Sequence, residues 1–209
     1  MTHSRRGVTI RLLIATLAGA GSSACAPLLL GGAVVGGSMI ATDRRSTATQ
    51  LEDQLIETKA ARRVHETLGE RGNVTVTSYN RLVLLTGDTV TESDRTAVEQ
   101  AVARVDNVRS VVNELAVAGA ASLSVRSNDA LLSTKVKASI VDAKGLYANT
   151  IKVITERGVV YLMGRVTERE ATQAANVARG VTGVQKVVRV FDILSDAELA
   201  EIQSAPALK

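Results

Sequence analysis

The stretch NVTVTSYNRLVLLTGDTVTE, which begins at Asn73, returns as TIKVITERGVVYLMGRVTE from Thr150. Val74, Val76, Leu85 and Gly87 fall on Ile151, Val153, Leu162 and Gly164 at an offset of 77. From Glu92 and Glu168 onward the offset is 76, carrying Val105, Val108, Val111 and Val112 onto Val181, Val184, Val187 and Val188. Upstream, Asp53, Ile56, Ala60 and Val64 fall on Asp129, Leu132, Val136 and Ile140, again at 76. A duplication on this scale confines the chain to two copies of one small unit rather than a single large core.

Each copy reads helix, strand, strand, helix, strand. Apolar groups at i, i+4 and i+8 place Ile56, Ala60 and Val64, and their counterparts, on one face of a first helix. Two alternating runs follow, separated by the short polar breaks YNR and ERG, the pattern of a tight hairpin. A second helix has apolar positions at 98, 101, 102 and 105, repeated at 174, 177, 178 and 181. A three-stranded sheet with both helices on one face would bury these sets together. The boundaries this gives are residues 51–118 and 125–194, with a tail at 195–209. Aromatic residues are 2% of the chain and there is no Trp, so the cores must be filled by Val, Leu, Ile and Ala. Tyr79 and Tyr161 are expected to cover the sheets, and Phe191 to fill the second core.

The N-terminal segment carries Arg5, Arg6 and Arg11, and residues 12–42 hold no charged side chain. Three readings compete. The run is long enough to span a bilayer, but Gly19, Gly21, Ser22 and Ser23 interrupt it as small residues do at a processing site. Cys25, preceded by SSA, also fits the first mature residue of a bacterial lipoprotein, although Ser22 stands where such a site prefers Leu. An incidental cysteine is the third reading. Lipidation at Cys25 gives residues 1–24 as a signal peptide and 25–50 as a Gly-rich tether and polar linker able to reach roughly 80 Å. Several acyl chains on one residue meet the condition for stable membrane attachment. Ala26 after the cysteine, rather than Asp, favours the outer membrane.

The Gly-rich start after Cys25, then ATDRRSTATQ, NVTVTSYN, SNDALLSTKVKASI and VYLMGRVTEREA, come in an order that resembles the BON domain family. The likeness is to its dual-BON outer-membrane lipoproteins and covers residues 25–194. It implies an α+β fold of two tandem αββαβ domains, each a three-stranded mixed sheet with two helices on one face. It also implies an anchor in the outer membrane facing the periplasm, affinity for anionic phospholipid such as phosphatidylglycerol, and a role in membrane integrity, stress tolerance and cell division. In such relatives the first helix of the second domain contacts lipid, and some carry a Trp where Leu131 stands here.

Charge agrees with that assignment. Once the leader is set aside the chain is nearly neutral, but residues 51–118 carry a net charge of −3 and residues 125–194 a net of +5. The second copy is the one an anionic surface attracts. A helix starting near Asn128 that buries Leu132, Val136, Ile140 and Ala143 would turn Leu131, Thr134, Lys135, Ala138 and Val141 outward. Aliphatic groups beside a lysine suit shallow insertion among headgroups, or packing against the first copy.

Other chemistries have little to stand on. Beyond the leader the only histidine is His65, read as a solvated helix residue, and one histidine assembles no metal site. A single cysteine excludes an internal disulfide. Asp53 and Asp129 are read as structural carboxylates near helix starts. Gly180 and Gly183 spell GVTG, but they join a helix to a strand, so they are read as turn formers and no nucleic acid is expected. No enzyme activity and no cofactor are expected. An adaptor that binds envelope proteins, with incidental lipid contact, is the alternative function.

Overall fold

The computed structural model describes residues 43–204. The expected leader, Cys25, most of the tether and the last five residues lie outside the described residues. The first copy is α1 (Thr47–Leu68), β1 (Gly72–Tyr79), β2 (Leu82–Thr89), α2 (Glu92–Ala103), β3 (Ser110–Asn113) and β4 (Ala116–Val117). The second is α3 (Leu123–Asp142), β5 (Ile151–Glu156), β6 (Val159–Thr167), α4 (Glu168–Arg179) and β7 (Lys186–Leu194), followed by α5 (Asp196–Ser204). The class is α+β, with the αββαβ order present twice.

In both copies the hairpin is antiparallel and the last strand joins it in parallel, so each sheet is mixed. β7 runs unbroken along β6 from Val159 opposite Lys186 to Thr167 opposite Leu194. In the first copy the same strand comes in two pieces. β3 and β4 lie along β2 in one register, Leu82 opposite Ser110 and Asp88 opposite Ala116. The middle strands of both sheets need a glycine where the neighbouring backbone approaches. A Cβ on Gly87 would lie 2.0 Å from the Asn73 carbonyl oxygen, and one on Gly164 would lie 2.2 Å from that of Thr150.

The hairpins turn on two residues each, Asn80 (φ 51°) with Arg81 (φ 65°) and Arg157 (φ 50°) with Gly158 (φ 75°). Two consecutive positive φ angles define the type I′ turn, whose twist matches the strands it joins. Three of these four residues carry a Cβ and resist that conformation. A buried carboxylate compensates each turn. Asp53 accepts from the backbone N–H groups of Asn80 (2.7 Å) and Arg81 (2.8 Å), and from the Ser78 hydroxyl (2.7 Å). Asp129 accepts in the same way from Arg157 (2.7 Å) and Gly158 (2.8 Å). Both are structural, but not at helix starts as the sequence suggested: each is the seventh residue of its helix. The carboxylate therefore serves the turn rather than the helix dipole.

Other boundaries also differ from the sequence reading. Ser46 caps α1 by accepting from the Thr49 N–H, so residues 47–50 are helical rather than linker. Ser122 caps α3, which starts five residues before Asn128. The tail contains α5, whose first turn is held by Ser195 and Glu198 bonding one another's backbone N–H groups.

Each copy has its own core between helices and sheet. Ile56, Ala60, Val64 and Leu68 of α1 meet Val83 and Leu85 of β2 and Val98 and Val102 of α2. Val136 and Ile140 of α3 meet Val160 and Leu162 of β6 and the alanines of α4, with Phe191 packed against them. A third cluster joins the two copies. Tyr79, Leu82 and Leu84 from the helix-free face of one sheet pack with Tyr161, Met163 and Val190 from that of the other. The tyrosines thus cover the sheets as expected, each sheet covering the other.

Polar contacts frame this seam. Asp192 accepts from Asn80 Nδ2 (2.7 Å), Arg109 (2.8 Å) and Arg165 (3.1 Å). Arg157 bonds buried Asp88 through Nε (2.9 Å) and reaches the Gly119 carbonyl (2.6 Å). Replacing Asp129 with Ala leaves two turn amides without their acceptor, and should lower unfolding free energy by about 2 kcal/mol in urea titration. Gly164→Ala should lower it by a similar amount, about 2 kcal/mol, because the added methyl meets fixed backbone.

Candidate functional site

α3 has two unlike faces. Asp129, Leu132, Val136 and Ile140 are buried, and Ala143 just beyond the helix is half-buried against the same core. On the other side Leu131 is 64% exposed and Val141 65%, with Thr134, Lys135 and Ala138 also exposed. The outward set expected from spacing is therefore in solvent and does not pack against the first copy. The Thr134 hydroxyl donates to the Ala130 carbonyl (3.0 Å), which takes up its one proton within the helix. Lys135 and Lys137 have no acidic partner among the described residues.

The duplication supplies an internal comparison for this face. Leu55 and Lys59 of α1 stand at the positions of Leu131 and Lys135, and Leu55 is exposed as Leu131 is. Lys59, however, is paired with Asp106 at 3.2 Å, and Arg62 and Arg63 both lie against Glu66. The residue matching Asp106 in the second copy is Thr182, exposed in the turn after α4. An acid in the first copy is thus a hydroxyl in the second, where Lys135 has no acidic partner among the described residues. Comparing the two copies of the turn sequence, VDN against VTG, carried that signal.

Residues 43–45, expected to be free linker, are docked instead. Arg44 makes a two-pronged contact with Glu170, 2.7 and 2.8 Å, with side chains only 7% and 3% exposed. Arg44 also donates to the Arg165 carbonyl (2.9 Å), and its guanidinium lies 5.8 Å from the centre of the Tyr147 ring. The next residue turns to the first copy. Arg45 bonds Asp53 (2.7 Å) and stacks 3.8 Å over the Tyr79 ring. The Tyr79 hydroxyl is pushed up to about 12, mainly by burial and then by the charge of Asp43, to which it donates at 3.1 Å. Burial would raise the Glu170 carboxyl, but the bonds from Arg44 and Thr167 outweigh it and hold the group below its ordinary value.

A groove of about 440 Å³ opens beside the second hairpin between Ser124, Asn128, Arg157 and Gln185. It is a wide surface hollow whose one buried acid, Asp129, is already engaged by the turn. His65 is exposed on α1, and no group of three His, Cys, Asp or Glu side chains among the described residues could hold a metal ion. No helix among the described residues is long and apolar enough to cross a membrane.

Comparison with known proteins agrees with this architecture. The BON domain family profile matches residues 52–119 and 128–195, together more than half of the chain. The chain therefore belongs to the BON domain family, as a two-domain member of its lipid-anchored outer-membrane proteins. It is 38% identical over 173 residues to outer membrane lipoprotein DolP of Haemophilus influenzae, across 81% of this chain and 89% of that protein. It is 32% identical over 152 residues to a 21 kDa hemolysin of Actinobacillus pleuropneumoniae, across 72% of this chain and 78% of the other. Among solved structures, CdsD of the Chlamydia trachomatis type III secretion system aligns with 70% of this chain and 99% of its own, at 11% identity and a TM-score of 0.29. That likeness is too low to bear on the fold.

Arg44→Ala strands a buried carboxylate and should lower stability by about 3 kcal/mol in urea titration. Because the Glu170 carboxyl is depressed in the folded state, its contribution is present above the ordinary value of 4.5 and is lost as pH falls below it. The gap between the wild type and Arg44→Ala should therefore close as the titration is repeated at pH values below 4.5.

Proposed function

We propose that this protein is anchored at the periplasmic face of the outer membrane by acylation of Cys25, and that its second BON domain engages anionic phospholipid through α3. Leu131 and Val141 enter the headgroup layer, Lys135 meets phosphate, and Thr134 and Ala138 complete the surface between them. The observation that carries this reading is the contrast between matched lysines: Lys59 is ion-paired with Asp106, whereas Lys135 has no acidic partner among the described residues and Thr182 stands at the position of Asp106. A basic group near an anionic bilayer contributes about 1 kcal/mol, provided no internal acid already satisfies it. The exposed aliphatics on either side supply the apolar part of the contact.

Acyl chains and α3 act together, since two weak attachments on one chain raise overall avidity through effective concentration. In this reading the protein is a non-enzymatic contributor to outer-membrane integrity and stress tolerance, with division as one setting. A second reading draws on the first domain, where Leu51 and Leu55 are exposed in an acidic unit that a like-charged bilayer would repel. Those residues suit an envelope protein partner, and the chain would then act as an adaptor.

Co-sedimentation of the non-acylated protein with vesicles separates the two. Binding should require phosphatidylglycerol and be absent with phosphatidylcholine alone, and Leu131→Glu with Lys135→Glu should abolish it. Thr182→Asp, which copies the acid of the first domain, should weaken binding about fivefold, the equivalent of one basic group. Unchanged sedimentation of the Leu131/Lys135 variant would remove α3 as the lipid contact.

A further inference from the structure

Of the four aromatic residues in the chain, three tyrosines and one phenylalanine, two tyrosines are sealed between the sheets and Phe191 is half-buried against the second core. Tyr147 is the one of the four that is exposed, with half of its surface in solvent. It lies in the connection between α3 and β5, six residues past Val141, and that connection is tied down. The Thr150 N–H and hydroxyl both donate to the Tyr147 carbonyl, at 2.9 and 2.7 Å, and Gln173 donates to the Lys144 carbonyl at 2.6 Å. The matching connection in the first domain, residues 69–71, holds Glu70 and Arg71 and no aromatic.

Tyr147 also marks where the tether joins the body. Arg44, whose guanidinium is beside the Tyr147 ring, is held by Glu170 of α4, while Asp43 accepts from the Tyr79 hydroxyl, so the chain running back toward Cys25 leaves from the seam with this tyrosine on its second-domain side. Seventeen residues lie between Cys25 and Asp43, a reach of roughly 60 Å when fully extended. The attachment therefore starts at the seam, where Arg44 ties it to the second domain beside Tyr147. Tension or confinement on the tether acts at Arg44 and brings the neighbouring surface toward the membrane first. An amphipathic ring at that spot suits the headgroup layer, where tyrosine places its apolar body inward and its hydroxyl in water.

We infer that Tyr147 is a further lipid contact, the interfacial aromatic of the second domain, and that the Arg44–Glu170 clamp is the positioning device that turns it toward the anchoring bilayer. The inference rests on the proposed lipid-binding role of α3. It extends the contact beyond the helix, toward the point where the tether docks, and supplies an aromatic that Leu131 does not.

The absence of tryptophan makes the test site-specific. Tyr147→Trp is prepared as the acylated full chain in phosphatidylglycerol-containing vesicles whose lipids carry brominated acyl chains. Its emission should move to the blue and be quenched, whereas Leu55→Trp on the first domain should show neither change. Adding Arg44→Ala to Tyr147→Trp should remove most of the quenching while the protein stays on the vesicles; Arg44→Gln replaces it if the alanine variant does not fold. Emission from Tyr147→Trp that is the same with and without vesicles overturns the aromatic contact. Quenching that survives loss of the Arg44 side chain overturns the clamp as its cause. Leu131→Trp tells the two proposals apart: if it is quenched while Tyr147→Trp is silent, only the present inference fails, and if both are silent the α3 reading fails too.

Discussion

The contact between two helix-free sheet faces is the constraint on which this structure depends. In β2, Val83 and Leu85 look toward the helices of their own domain while Leu82 and Leu84 look toward the other domain. In β6 the same division falls between Val160 and Leu162 on one side and Tyr161 and Met163 on the other. A central strand buried on both sides has no surface to give to water. Either domain alone would expose an apolar face that its partner now covers. The helices are consequently displaced to the outside of the pair, which is why α3 can present one of its sides to another surface at all.

Function follows from small departures between copies that share an interior. The buried positions of α1 and α3 are filled alike, down to the carboxylate beneath each hairpin. Outside, one position in a turn decides whether a lysine is spent within the molecule or left available. The clamp formed by residues 44 and 45 has no repeat to be compared with, since it lies before the first copy begins. It binds both domains, Arg44 to the second and Arg45 to the first, and so joins the tether to the seam rather than to one half.

Periodicity and repetition made most of the fold legible. Helical spacing identified the buried face of α3 and thereby its exposed one, and YNR and ERG identified both hairpins. The alternation expected of both hairpin strands fails in β2 and β6, which are buried on both faces; their continuous apolar runs at residues 82–85 and 159–163 are the pattern such burial requires. What local sequence could not carry was pairing at a distance. DRRS is as polar as any linker, and only the three-dimensional fold brings Glu170 to Arg44 and Asp53 to Arg45. Asp53 and Asp129 were legible as structural but not in their role, because the turn amides they serve are 27 to 29 residues further along the chain.

The seam also governs which halves can meet. Asp88 in the first domain is matched by Arg165 in the second, and Asn80 by Arg157, so the rim of one sheet is acidic or neutral where the other is cationic. Joined as they are, Arg157 finds Asp88, and Asn80 and Arg165 share Asp192. Two second domains brought together in the same way would set arginine against arginine, and two first domains would leave Asp88 facing an amide. The repulsion between arginines is a selection rule against pairing two second domains. It favours the pairing of each second domain with the first domain of its own chain, where Arg157 meets Asp88.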